Sequence, residues 1–136
     1  MNLRIRTAVR DDLPALERLI PESVRALSAD CYAAAQIESA IRYAFGVDTQ
    51  LIADGTFFVA EIDGQIVGCG GWSWRRKIYG GDQVAGDGDA PLDPATDAAR
   101  IRAFFVHPAW ARRGIGSAIL RACARGAGTA GFRRLE

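Results

Sequence analysis

Alternation and helical periodicity divide the chain into a short series of elements. Leu3-Arg4-Ile5-Arg6-Thr7-Ala8-Val9 alternates apolar and polar side chains, which predicts a half-buried first strand. Asp11 and Asp12 stand ahead of Leu13, Leu16, Leu19, Ile20, Val24 and Leu27, the inward stripe of an amphipathic helix with an acidic cap. Pro14 suits the first turn of that helix, whereas Pro21 is expected to kink or split it. A further helix over 33–45 would turn Ile37, Ala40, Ile41 and Ala44 inward and stop at Gly46. Phe57–Ile62 and Ile66–Cys69 read as strands, and Asp63-Gly64 between them is a strong hairpin signal. Residues 75–100 lose all periodicity and form a long polar loop. The apolar run Ile101–Val106 then predicts a buried strand that Pro108 must end. Ile115, Ala118, Ile119, Ala122 and Cys123 make the apolar face of a last helix, and Gly131–Glu136 looks like the start of another strand.

The connection between Val106 and that last helix carries the chemistry. It reads His107-Pro108-Ala109-Trp110-Ala111-Arg112-Arg113-Gly114-Ile115-Gly116-Ser117. A helix N-terminus offers unpaired N–H groups and the positive end of a dipole, and glycines let a ligand come close to them. Arg112 and Arg113 add positive charge, so the turn suits a polyphosphate anion. A phosphate-binding loop of the Walker type needs a Gly-Lys-Ser/Thr ending that is absent. A dinucleotide fingerprint fails too, because bulky Ile119 takes the place of its third glycine and the turn is too long.

Val106-x-Pro108, followed by Arg112-Arg113-Gly114-Ile115-Gly116 and by Leu120 on the helix, resembles the pyrophosphate-binding segment of the GNAT superfamily of acyl-CoA N-acyltransferases. That family's signature is Gln/Arg-x-x-Gly-x-Gly/Ala, and its first position falls on Ala111 here. The order of elements agrees with the family over 3–136. The resemblance implies an α/β layered domain, a mixed sheet flanked by helices, whose last helix and two strands are not in the chain. It implies acetyl-CoA as co-substrate, with Phe105 and Val106 meeting the pantetheine and thioester. Arg112, Arg113, Gly114, Ile115, Gly116 and Ser117 would hold the pyrophosphate. The activity implied is direct transfer of acetyl to a primary amine of a small molecule or peptide. The alternative is a noncatalytic acyl-CoA-binding or regulatory remnant. Many family members carry, on the helix beyond this point, a tyrosine that protonates the departing thiolate. Separately, the open sheet edge invites pairing, so a homodimer is a further expectation.

Composition narrows the partners. The 136 residues are 49% hydrophobic, enough for one domain with its own core. A net charge of +1 gives no general attraction to nucleic acid or to an anionic membrane. No apolar run reaches the length of a membrane span, and the N-terminus lacks a signal-peptide core. Cys31, Cys69 and Cys123 are odd in number and widely spaced, as in reduced thiols of a cytoplasmic protein. One histidine, no Cys-x-x-Cys and no EF-hand spacing in the acidic loop give no metal site.

Candidates for proton transfer are few. The strand before the motif offers Arg100, Arg102, Ala103 and Phe104 where family members often place a glutamate. Glu61, on the neighbouring hairpin, is the strand-borne carboxylate named as base, its alternative being an ordinary solvated strand charge. His107 lies in a corner whose middle residue is expected to face away from the cleft. Trp72 and Trp74 share a face at period two, for core packing or an acceptor pocket. Cys31-Tyr32 stand where the family shapes acceptor specificity.

Overall fold

A computed structural model describes residues 2–28, 33, 35–36, 48–76 and 91–136. The strands are β1 (Leu3–Thr7), β2 (Phe57–Ile62), β3 (Gln65–Ser73) and β4 (Arg100–Val106). The helices are α1 (Leu13–Ser28), α2 (Thr49–Asp54) and α3 (Ile115–Thr129). The strands form one sheet in the order β1-β2-β3-β4, each antiparallel to its neighbour. The Asp63-Gly64 turn fits the twist of its hairpin because both residues take positive φ, 52° and 80°.

Each face of the sheet buries a separate core. On one face Leu16, Leu19, Ile20 and Val24 of α1 and Leu51 of α2 pack on Phe57, Val59 and Cys69. On the other, Ile115, Ile119, Cys123 and Ala127 of α3 pack on Ala60, Val67, Trp72 and Ala99. Two glycines allow close approach under α3. A Cβ at Gly70 would lie 2.8 Å from the Phe104 ring, and one at Gly126 would lie 2.8 Å from Nε1 of Trp72.

The expected elements are largely present, with local differences. α1 runs unbroken through Pro21. Arg10–Asp12 form a 3-10 turn that runs straight into α1, and the Asp12 carboxylate caps that turn by accepting from the Val9 N–H at 2.8 Å while pairing with Arg6. β1 ends at Thr7, two residues early, and β3 extends to Ser73. The helix expected over 33–45, with Cys31-Tyr32 before it, lies almost wholly outside the described residues, as do residues 77–90 of the polar loop. Where the description resumes, the loop is anchored: the Leu92 N–H donates to the Trp74 carbonyl at 2.6 Å, and Leu92, Ala98 and Ala99 are buried. α2 was not foreseen, although Asp48 and Gly55 flank it as N-cap and left-handed C-cap.

The segment after α3 joins the sheet as its sequence suggests. The Ile101 N–H donates to the Glu136 carbonyl at 2.6 Å, and the Glu136 N–H to the Ala99 carbonyl at 2.8 Å. Ala99 and Leu135 thus form a parallel bridge beside an otherwise antiparallel sheet. Buried Phe132 meets Trp72 edge-on at 6.0 Å.

Candidate active site

β4 is interrupted where the site begins. Cys69 pairs with Phe105 and Gly71 with Arg102, so β4 carries one residue more than β3 over that interval. The extra residue is accommodated by Ala103 at φ 55°, the left-handed member of a bulge. The bulge re-aims the side chains that follow: Ala103 and Phe105 pack toward the α1 core, Phe104 and Val106 toward the α3 core.

Val106 presents its backbone outward. The His107 N–H donates to the Val67 carbonyl at 2.8 Å, which continues the ladder one residue past β4. By the alternation of an antiparallel pair, the peptide groups of Val106 point away from β3. Its carbonyl is taken by the buried Ser23 hydroxyl of α1 at 3.0 Å. Its N–H is directed to the outer side of β4, where a donor can meet developing negative charge.

The connection to α3 forms a tight corner. His107 Nδ1 accepts from the Ala109 N–H at 3.1 Å, while its Nε2 lies 2.9 Å from Glu22. The only histidine is thus engaged at both nitrogens in shaping this corner. Pro108–Trp110 make a short 3-10 turn, and the Arg113 guanidinium lies over the Trp110 ring at 5.1 Å. Arg112 at φ 63° and Gly114 at φ 79° then turn the chain into α3. Ala118 is the first residue whose N–H bonds back within the helix, to the Gly114 carbonyl at 3.0 Å. The N–H groups of Ile115, Gly116 and Ser117 have no intrahelical carbonyl to reach. A Cβ built on Gly116 meets nothing within 4 Å, and Arg112, Arg113 and Ser117 are exposed, whereas Ile115 is buried. The helix dipole, the Gly116 and Ser117 donors and two exposed guanidiniums therefore lie together at this corner.

The structure gathers Phe105, Val106 and the 112–117 turn at one end of β4, but places Glu61 elsewhere. Glu61 sits on β2, with β3 between it and β4, and its carboxylate pairs with Arg6 Nε. Arg6 also grips both oxygens of Asp12, at 2.8 and 2.7 Å. That grip holds the Asp12 carboxyl below the ordinary carboxylate range and raises the Arg6 guanidinium further. Trp72 and Trp74 meet edge-on at 5.8 Å within the α3 core, the packing alternative of the two considered for them. Burial pushes the Cys69 and Cys123 thiols up to about 12, which leaves them protonated and unreactive at neutral pH. No group of three His, Cys, Asp or Glu able to hold a metal occurs among the described residues, and no described helix is long and apolar enough to cross a membrane.

Sequence reasoning missed Ser23 and Glu22. A signal existed for Ser23, a lone hydroxyl in the inward stripe between Ile20 and Val24. Nothing local marks Glu22, because its partner is 85 positions away in the chain.

The bulge in β4 and the N-terminus of α3 thus lie at the same end of the sheet. The model of the Acetyltransferase (GNAT) family matches residues 21–136, and the chain belongs to that family. Among solved structures, the PaiA N-acetyltransferase of Thermoplasma acidophilum in complex with coenzyme A superimposes with a TM-score of 0.68 at 17% identity, covering 97% of this chain and 76% of that one. A GNAT family acetyltransferase of Brucella melitensis in complex with acetyl-CoA gives 0.61 at 19% identity, over 98% and 73%. The acetyltransferase AAC(6')-Iy bound to a bisubstrate analogue, CoA-S-monomethyl-acetylneamine, gives 0.58 at 16% identity, over 100% and 78%. No curated protein sequence matches.

Proposed function

We propose that this chain is an acetyl-CoA-dependent N-acetyltransferase acting on a primary amine of a small molecule or peptide. The observation that carries this is the set of amides at Ile115, Gly116 and Ser117 with no intrahelical carbonyl to reach, one turn from the outward N–H of Val106. Arg112, Arg113, Gly114, Ile115, Gly116 and Ser117 hold the pyrophosphate, and Phe105 and Val106 lie along the pantetheine. A neutral amine attacks the thioester carbon, the Val106 N–H stabilises the oxyanion, and the C–S bond breaks to give the amide and free thiol. The proton lost by the amine passes to water and then to Glu61, the base in this reading. The fold and site also suit the alternative reading, a noncatalytic acyl-CoA-binding domain. A cytoplasmic location, supported by the buried free thiols, and a homodimer belong to the same proposal.

Titration calorimetry with acetyl-CoA tests the binding half. Binding should weaken as salt is added, because phosphate attraction is screened. Gly114 is a poor site for a steric probe, since its positive φ strains any replacement. Gly116→Val fills space that is open in the free protein and should leave the melting temperature unchanged while abolishing binding. Undiminished affinity in Gly116→Val would make the turn a helix cap only. For catalysis, Glu61→Gln should lower thiol release with an amine panel by on the order of 10²–10⁴-fold, less at high pH where more amine is neutral. Unchanged rates at every pH would leave the proton to water, and no turnover with any amine would select the noncatalytic reading. Light scattering reads the oligomeric state, and a stable monomer would remove the dimer.

A further inference from the structure

Arg100 and Arg102 stand on one face of β4, opposite Ser73 and Gly71 of β3. Gly71 identifies the face, because a Cβ there would meet the Thr56 carbonyl, the Phe57 ring and Leu51, all on the α1–α2 side. Arginine side chains are normally exposed, and one buried against the sheet needs a reason. Arg102 is only 5% exposed. Burial pushes its guanidinium below the ordinary value; Asp48 opposes that shift and Arg100 adds to it. Arg100, two residues away on the same face, and Asp48 are thus described charges that bear on the buried Arg102.

Their hydrogen bonding is incomplete. Among the described residues, Arg102 Nη2, Arg100 Nε and the Thr56 hydroxyl are buried atoms with no hydrogen-bond partner, and Oδ1 of Asp48 likewise forms no hydrogen bond, so that carboxylate oxygen does not satisfy these donors. Buried donors of charged groups are normally satisfied, and each one left open is destabilising. Like charges side by side make the arrangement worse for the free protein. A carboxylate would remove both defects at once, by filling open donors in the fork geometry that guanidinium offers and by neutralising the second positive charge. The pair precedes the bulge that aims Phe105 and Val106, on the same strand as the proposed acyl site.

We propose that Arg100 and Arg102 receive the carboxylate of the acceptor, so that the amine acetylated belongs to an amino acid or another small amino-carboxylate. The inference rests on the acetyltransferase reading, and it replaces an open choice among amines with one substrate class. A polyamine or an aminoglycoside would bring positive charge to a site already holding two guanidiniums.

The test compares α- and ω-amino acids with their own carboxamides, with rates referred to the concentration of neutral amine. The acid should exceed its amide in kcat/KM by roughly 10- to 100-fold, the scale of one charged hydrogen-bonded pair. In Arg102→Met this ratio should collapse toward one whatever the melting temperature does, since the change removes both a buried charge and the guanidinium that Asp48 faces. Equal rates with acids and amides in the wild type overturn the inference, as does an unchanged ratio in Arg102→Met. If no amine turns over, thermal protection by N-acetylated amino acids against their amides decides: protection by the acids alone, lost in Arg102→Met, supports it, and equal or no protection overturns it. Acetyl-CoA titration of the wild type separates the two levels, because loss of that binding sinks the acetyltransferase reading itself.

Discussion

Arg6 joins three parts of the chain through two carboxylates, and that arrangement has a pH signature. Asp12 is held below its ordinary value of 3.8 chiefly by its hydrogen bonds to Arg6. The folded state therefore binds fewer protons than the unfolded chain in the acid range. This stabilisation is present above 3.8 and is lost as pH falls through the lower folded value. Asp12→Asn should flatten the acid limb of a plot of urea midpoint against pH, and should cost roughly 1–3 kcal/mol at pH 7. The buried thiols have the opposite sign. Cys69 and Cys123 are raised from 9.0 to about 12, so their contribution is complete below pH 9 and falls as pH rises toward 12. Urea midpoints should decline above pH 9, and Cys123→Ala should lessen the slope. A thiol reagent at pH 8 should label neither cysteine until the protein is unfolded.

α3 offers a direct comparison between two glycines in one helix. A Cβ at Gly128 meets nothing within 4 Å, whereas one at Gly126 drives into the Trp72 indole. Gly128→Ala should therefore stabilise by about 0.5–1 kcal/mol through helix propensity alone. Gly126→Ala gains the same propensity but overpacks the core, at about 1–3 kcal/mol, and should lower the urea midpoint. Which glycine is which is invisible in the sequence, because it depends on Trp72 arriving from β3. Elements with a strong local period were readable for the same reason that this contrast was not. The α1 and α3 stripes, the alternation of β1 and the Asp63-Gly64 turn are set by neighbours within a few residues. Short α2 lacks a full period, so only its caps betray it. At the site, the 112–117 turn was legible because glycines and arginines fall together at a helix start. The Ser23 bond to Val106, the Arg6 hold on Glu61 and the crowding of Arg100 with Arg102 arise only when the sheet assembles.

At the scale of the whole molecule, the order of strands in space follows their order in sequence, but the distances along the chain are unequal. β2 and β3 are joined by two residues, while Leu3 of β1 pairs with Ile62. On a ribosome, β1 emerges first and must wait for nearly sixty further residues before its partner exists. At about 5–20 residues per second that is a delay of roughly 3–12 s with a strand edge bare. Leu3 and Ile5 are the apolar side of that strand, and Arg4 and Arg6 are its charged side. Arg4 is exposed in the finished fold, opposite Glu61 in the register of β2, where a surface charge contributes little. Its value is earlier, in keeping a nascent strand from pairing with another chain. Arg4→Val should leave the melting temperature nearly unchanged and yet raise the insoluble fraction during synthesis, an effect that slower translation would enlarge.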